Sequence, residues 1–242
     1  MLKLYQFPIS NFCEKARWAL EIKDLPYRKV NLLVGPHAKK AKKMAPNSSL
    51  PILEHDGQYI QESAAIISYL DDKFSRRKLT PEDPNEVKLA EAWESFADRE
   101  IAPAVRLLAY HTLLDHKDLV LPMLTQDGPW YAGMMMKSAY PKIVKGMREM
   151  MNINDETAKQ AEAQISTALD NIVETLGDKE FLVGDTFTRA DLSVAAQLAP
   201  LIMPEGYGVT CWPEEMPEPF ASQLKRFDDR LAWVGHMYEN FR

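Results

Sequence analysis

The order of apolar and polar positions in the first third of the chain predicts a small mixed domain. Residues 2–7 are apolar on both faces apart from Lys3 and Gln6, as expected for a strand inside a covered sheet. Over residues 11–23 the apolar positions recur at helical spacing, while charged residues such as Glu14 and Arg17 fall elsewhere on the helix. A second strand is predicted at residues 27–32.

Two more short strands and a helix complete this predicted unit. The strands are expected at residues 51–54 and 58–60, joined across Asp56-Gly57, a dipeptide that is typical of a tight hairpin. Residues 62–74 again show an apolar stripe at helical spacing. The predicted order is therefore β-α-β, an irregular segment, and then β-β-α.

The remaining two thirds of the chain have the pattern of packed helices. Residues 76–85 are polar and contain two prolines, which favours a linker between a domain at 1–75 and a second domain at 86–242. Within the second domain, Thr188 and Asp191 have the spacing of a capping box ahead of an apolar helix. A helical bundle is the expected architecture.

Composition then excludes several classes of protein. The chain has 242 residues and a formal net charge of −6, which argues against a nucleic-acid binder. It contains no apolar run long enough to span a bilayer, and its first residues lead into a strand pattern rather than a signal peptide. Two cysteines, Cys13 and Cys211, suit a reducing compartment, so we expect a cytoplasmic protein without membrane association. The five histidines lack metal-ligand spacing, so no metal site is predicted.

Four short motifs, taken in order, resemble those of the cytosolic glutathione transferases. They are SNFCEKAR at 10–17, SLPIL at 49–53, ESAAI at 62–66, and FLVGD at 181–185 followed by the capping box. The resemblance implies an α/β thioredoxin-like N-terminal domain followed by an all-α helical-bundle C-terminal domain. Residues 104–154 match no motif of the family.

The resemblance also implies a function. Such an enzyme stabilises the thiolate of glutathione for attack on a small electrophilic, hydrophobic substrate, often in detoxification. Glutathione is then a co-substrate, no other cofactor is expected, and the chain is expected to form a homodimer. A different class of function is a non-catalytic relative that serves as a binding or scaffold protein, which the fold alone does not exclude.

The resemblance assigns glutathione-binding roles to two short segments. Leu50 would bind the cysteinyl backbone through its main-chain groups, with the Leu50-Pro51 bond in the cis form. From the residues alone, a trans proline at the start of an edge strand is the alternative. Glu62 and Ser63 would bind the γ-glutamyl end, because a helix N-terminus favours a carboxylate and Glu62 offers a charge to the ammonium group. Without the resemblance such a pair is more commonly an ordinary helix cap, and both roles can hold together because the cap geometry forms the anion site.

Ser10 is the candidate for thiol activation. Its hydroxyl and the dipole of the helix that begins at Asn11 would stabilise a thiolate, although a serine at this place can also act only as a helix cap. Its neighbour Phe12 is placed at the glutathione site by the same motif. Some family members use a tyrosine at the end of the first strand, but Gln6 stands there, and Tyr5 should face the opposite side of the sheet.

Cys13 offers an alternative chemistry. The spacing Ser10-x-x-Cys13 matches the Cys-x-x-Cys of glutaredoxin-like proteins with the attacking cysteine replaced by serine, which cannot form a mixed disulfide. A packed Cys13 would be structural, whereas a Cys13 that faces the ligand would allow glutathione-dependent thiol transfer or reduction.

Two parts of the site are less specific in the sequence. His37 or Lys40 lies where the family binds the glycine carboxylate. The second substrate would lie between the domains against the first helices of the bundle, where an adaptable apolar wall could come from several residues that core packing explains equally well. These residues are Tyr110, His111, Trp130, Tyr131 and the methionines at 134–136.

Overall fold

The computed structural model describes residues 1–242, and its first part has the predicted thioredoxin-like order. The four strands form one sheet in the order β2-β1-β3-β4, in which β1 is parallel to β2 and antiparallel to β3. The elements are β1 Leu2–Gln6, α1 Asn11–Ile22, β2 Tyr27–Asn31, α2 His37–Ala41, β3 Ile52–His55, β4 Gln58–Gln61 and α3 Ser63–Lys73.

The second part is helical, which confirms the predicted bundle. None of its helices combines the length and the apolar character needed to cross a bilayer. The elements are α4 Pro84–Phe96, a π-helical segment Ala97–Ile101, α5 Ala102–Leu113, α6 Lys117–Thr125, α7 Ala132–Met151, α8 Asp155–Leu176, α9 Arg189–Leu198, a 3₁₀ turn Ala199–Leu201 and α10 Phe220–Phe241.

The segment between the two parts is fixed by hydrogen bonds rather than loose. The carboxylate of Asp71 in α3 accepts bonds from the backbone amides of Leu79 and Thr80 and forms an ion pair at 2.8 Å with Lys23, which directly follows α1. The side chain of Leu79 is buried in the common core. Helix α4 begins two residues before the start that was predicted at 86, and the division into domains stays a prediction.

The hairpin between β3 and β4 follows its sequence signal. Asp56 and Gly57 have φ values of 49° and 85°, both in the left-handed region that a two-residue hairpin requires at its centre. The turn pairs Ile52 with Gln61, so β4 ends beside the start of β3. The residues just before β3 and just after β4 therefore lie next to each other at one edge of the sheet.

Helix α1 lies at the centre of the molecule and is buried around most of its circumference. It packs on α3 and on α9, so the charged residues that its sequence placed away from the apolar stripe also lie in the interior. Lys15 forms ion pairs of 2.7 Å with Glu94 of α4 and Asp98 of the π-helical segment. Buried charges are tolerated when each has a partner, and these pairs connect the two parts of the chain.

Helices α4 and α5 are continuous through the π-helical segment, and Pro103 explains the irregularity. Proline has no amide hydrogen and its ring conflicts with the carbonyl four residues earlier, which here belongs to Arg99. A wider π turn over Ala97–Ile101 relieves that conflict without ending the helix. The next residues of α5 therefore continue along the side of the sheet domain.

The predicted capping box is present at the start of α9. The side chain of Thr188 accepts a bond from the Ala190 amide, and Asp191 accepts a bond of 2.9 Å from the Thr188 amide. Asp191 also accepts a bond of 2.8 Å from the Leu182 amide, which fixes the loop before the helix. All of these groups are buried.

Replacing Asp191 should destabilise the whole fold. The change Asp191→Ala leaves the buried amides of Leu182 and Thr188 without acceptors, which should lower the free energy of unfolding by about 2–4 kcal/mol. Urea unfolding measures this change. The exposed Asp185, which has no such partners, is the matched control, and Asp185→Ala should lie within about 0.5 kcal/mol of the wild type. Equal losses for the two variants would contradict this account of the capping box.

Candidate active site

One cleft of about 200 Å³ lies between the sheet domain and the helical bundle. Its wall is mostly apolar, and none of its lining residues is acidic. The first domain contributes Phe7, Ile9, Ser10, Asn11, Val34 and His37. The second domain contributes Arg106, Ala109, Tyr110, Leu113, Leu124, Met147, Met150, Met151, Pro200, Trp212 and Phe220.

Ser10 lies in the wall of this cleft at the N-terminus of α1. Its backbone is extended, with φ −78° and ψ 124°, and its Oγ accepts a bond of 3.3 Å from the amide of Cys13. The serine is therefore a helix cap, as predicted, but its hydroxyl hydrogen is not donated to any protein atom. The hydroxyl and the positive end of the helix dipole can both act on an anion in the cleft.

Arg17, about two turns further along α1, fixes the loop that leads into Ser10. Its guanidinium is fully buried and forms an ion pair of 2.7 Å with Glu14. It also donates a bond of 2.7 Å to the side-chain oxygen of Gln6 and one of 3.1 Å to the carbonyl of Pro8. No role was predicted for Arg17, because helical periodicity alone does not show that a charged residue is buried.

The loop is held from the second domain as well. The hydroxyl of Tyr207 donates a bond of 2.9 Å to the carbonyl of Ile9, directly before Ser10. Gly208 follows Tyr207 at a point where a Cβ atom would lie 2.6 Å from the carbonyl oxygen of Pro8, so only glycine fits there. Two domains therefore determine the position of one serine.

The Leu50-Pro51 bond is cis, which confirms the prediction. The antiparallel pairing of Tyr5 with Ile52 places this dipeptide beside the end of β1, close to the loop that carries Ser10. The preceding loop is fixed by Gln61, whose side-chain amide donates bonds of 3.0 Å to the carbonyl of Asn47 and 2.9 Å to that of Ser49. Gln61 was not singled out in the sequence, since a polar residue at a strand end has many possible roles.

Glu62 and Ser63 lie at the start of α3, but the N-cap position is occupied by Glu62 and not by Ser63. Glu62 occupies the cap position with φ 76° and makes no side-chain cap bond, while Ser63 is the first helical residue and is buried. The carboxylate of Glu62 instead accepts a bond of 2.9 Å from the Ser49 hydroxyl. A positive φ is uncommon for a residue other than glycine.

The thiol of Cys13 does not reach the cleft. Its side chain is fully buried, its Sγ accepts a bond of 3.4 Å from the amide of Phe7, and burial raises the pKa of the thiol. A buried thiol with a raised pKa is a poor nucleophile. The placement of Cys13 among the candidate catalytic residues therefore has no support from the geometry.

The remaining candidates from the first domain differ in whether they line the cleft. His37 lines the cleft, its ring packs edge-on against Phe7 at 4.7 Å, and burial lowers its pKa. Lys40 lies outside the cleft with its ammonium 5.0 Å from the ring centre of Tyr5, and Phe12 does not line the cleft either. Tyr5 donates a bond of 2.7 Å to Glu54 and does not line the cleft.

The sequence offered several residues for the apolar wall of the second domain without assigning any of them. Of these residues only Tyr110 lines the cleft, and the methionines in the wall come from the last turn of α7 rather than its first. Met136 is instead buried in the core and Met134 is exposed, because the N-terminal part of α7 packs against α6. The residues not found in the wall are His111, Trp130, Tyr131 and Met134, Met135 and Met136.

Comparison with known proteins agrees with this architecture. Residues 4–78 match the family model described as glutathione S-transferase, N-terminal domain, and residues 118–228 match the C-terminal domain model of the same family. A curated protein named probable glutathione S-transferase from Nicotiana tabacum is 28% identical over 220 residues, which cover 86% of this chain and 74% of that protein.

Solved structures share the fold at lower identity. Glutathione transferase F7 from Populus trichocarpa superposes with a TM-score of 0.67 and 18% identity, over 98% of this chain and 93% of that one. A glutathione S-transferase from Methylobacterium radiotolerans, solved in complex with glutathione sulfonate, has a TM-score of 0.60 and 22% identity, over 100% of this chain and 95% of that one.

The two cysteines should differ sharply in reactivity. Cys211 is exposed whereas Cys13 is fully buried, so a small alkylating reagent should modify one thiol per folded chain within minutes and the second only on unfolding. Mass spectrometry of the alkylated protein measures this. Cys211→Ser should abolish the fast modification and Cys13→Ser should leave it unchanged. Fast alkylation of Cys13 in the folded protein would show that its thiol is accessible.

Proposed function

The chain belongs to the glutathione S-transferase family, and on that premise we propose that it conjugates the thiolate of glutathione to a small electrophilic, mainly apolar substrate. The observation that carries the proposal is the position of Ser10. Its undonated hydroxyl and the N-terminus of α1 lie in the wall of a mainly apolar cleft of about 200 Å³.

Glutathione would lie along the first-domain side of the cleft. The amide and carbonyl of Leu50 take part in no hydrogen bond within the chain, so they can pair with the cysteinyl backbone as an added strand would. The free amides at the start of α3, beside Ser63, suit the γ-glutamyl carboxylate, and Glu62 suits the ammonium group. His37 is placed to donate a bond to the glycine carboxylate, with more support than Lys40 has.

In this arrangement the protein acts by positioning and by stabilising charge. A hydrogen bond from Ser10 to the sulfur favours thiolate over thiol, and the thiol proton passes to solvent. The thiolate then attacks the electrophilic carbon of the second substrate. With an aryl chloride, a sulfur–carbon bond forms while the carbon–chlorine bond breaks, and chloride leaves. Holding both reactants in one cleft makes the attack effectively unimolecular.

The other two functions have less support. Thiol transfer or reduction through Cys13 requires the buried thiol to reach the ligand, from which the loop around Phe7 separates it. A pure scaffold would not need the undonated Ser10 hydroxyl or the unpaired main chain of Leu50. From family membership we also propose that two copies pair as a homodimer and that the enzyme acts in cytoplasmic detoxification.

Removing the Ser10 hydroxyl should reduce catalysis much more than binding. Ser10→Ala should lower kcat for 1-chloro-2,4-dinitrobenzene by about ten- to a hundredfold, since a charge-assisted hydrogen bond is worth about 1.5–3 kcal/mol. The Kd for glutathione, measured by calorimetry, should change by less than about threefold. Steady-state kinetics at saturating glutathione give kcat.

The exposed Ser75 provides the matched control, and Ser75→Ala should behave as the wild type in both measurements. Because Ser10 also caps α1, urea unfolding must show that Ser10→Ala remains folded at the assay temperature. Wild-type kcat in a folded Ser10→Ala variant would remove this serine from the mechanism.

The thiol-transfer alternative has its own test. Cys13→Ser should leave any glutathione-dependent reduction of a small disulfide, such as hydroxyethyl disulfide, at the wild-type rate, because the buried thiol does not contact the cleft. A coupled glutathione reductase assay measures this rate. Loss of disulfide reduction together with retained conjugation would establish Cys13 as a redox centre.

A further inference from the structure

Arg106 brings a positive charge into the cleft without a protein partner. It lies on α5 among the lining residues, forms no ion pair, and its Nε is buried without a hydrogen-bond acceptor. The other cleft residues cannot neutralise it, because none of them is an aspartate or a glutamate. The other cations of the interior, such as Arg17 and Arg189, are each bonded to a glutamate.

Two further donors of the cleft are also unpaired. The side-chain amide nitrogen of Asn11, a residue that is only 4% exposed, and the indole nitrogen of Trp212 are both buried without acceptors. The chain has buried unpaired side-chain atoms elsewhere, but some of those are acceptors, such as the side-chain oxygens of Gln197 and Gln223. The cleft contains three, and all three are N–H donors.

Such an arrangement is costly unless an acceptor is bound. A buried N–H group without a partner loses its hydration, and the loss is larger for a charged group. Aspartate or glutamate at a neighbouring position would have supplied the acceptor, as it does for the other buried cations of this chain. The donors of the cleft therefore match a ligand that brings its own negative charge.

The apolar part of the cleft limits what else that ligand contains. Met147 and Met151 are four residues apart on α7 and so lie on one face of the helix, beside Met150. Methionine side chains are flexible and fit planar or irregular apolar groups. Arg106 is likewise four residues before Tyr110 on α5, and Asn11 directly follows Ser10, so these two donors line the same cleft as the methionines and the proposed thiolate site.

We propose that the second substrate of this enzyme is an apolar carboxylic acid, whose carboxylate is bound by Arg106 and whose body packs against the methionines of α7. Guanidinium and carboxylate groups match in geometry and form two parallel hydrogen bonds. The assignment of this acid as the electrophile rests on the proposed transferase function, whereas its binding does not. The carboxylates of glutathione are expected on the side of the first domain, at His37 in the cleft wall and at Ser63, which lies outside the cleft lining.

Binding of an unreactive acid tests the proposal without turnover. Calorimetry compares 2-naphthoate with the neutral 2-naphthamide on the wild type, Arg106→Gln and Arg106→Lys. The wild type should bind the acid at least about tenfold more tightly than the amide, as expected for a charge-assisted pair. Arg106→Gln should remove this preference, and Arg106→Lys should retain part of it because it keeps the charge.

Arg99 is the matched control, since it lies on the same continuous helix but is exposed and makes no ion pair. Arg99→Gln should keep the full preference for the acid. Equal affinity of the wild type for acid and amide, or a preference that survives in Arg106→Gln, would overturn the proposal. So would an Arg106→Gln variant in which glutathione binding is weakened and naphthoate binding is not, because Arg106 would then belong to the glutathione site.

A turnover experiment separates this proposal from the function on which it builds. The substrates are 4-chloro-3-nitrobenzoate and its amide, and the quantity is the ratio of their kcat/KM values in each variant. Arg106→Gln should lower the acid-to-amide ratio by about tenfold or more. If the wild type prefers naphthoate in binding but conjugates neither aryl chloride, the acid site is supported and the transferase proposal is contradicted.

Discussion

The fully buried guanidinium of Arg17 is the interaction on which the geometry of the site depends. It connects the end of β1, the loop after it and the first turn of α1, through Gln6, Pro8 and Glu14. A buried charge is stable only while its partners stay in place, so the loop is restricted to the arrangement that satisfies all of them. Burial lowers the polarity around the charge and thereby strengthens each of these bonds.

Function follows from what this arrangement presents to the cleft. The loop places Ser10 at the N-terminus of a helix, and Tyr207 and Gly208 hold the same loop from the helical domain. The ion pairs of Lys15 with Glu94 and Asp98 hold α1 against the helical domain. Ser10 and His37 line the cleft from the first domain, and the helical domain contributes an apolar surface with a single unpaired cation, Arg106.

Much of the fold could be predicted from local signals, and the limits of the prediction have a common cause. The Asp56-Gly57 hairpin and the box at Thr188 are short-range structures whose chemistry is complete within a few residues. The burial of Arg17 and the choice between the methionines at the two ends of α7 depend on packing against distant elements. Helical spacing gives the faces of a helix, but not which face meets another domain. A donor such as Arg106 can be recognised as unpaired only from the structure, which gives the positions of all possible acceptors.

The central claim is that this cleft stabilises the thiolate of glutathione, and the pKa of the bound thiol is its most direct measure. Thiolate absorbance near 240 nm, followed against pH in the complex of the wild-type enzyme with glutathione, gives that value. One hydrogen bond from Ser10 together with a helix N-terminus should lower the pKa of the bound thiol by about one to two units relative to free glutathione. A bound thiol that titrates at the pKa of free glutathione would contradict the account.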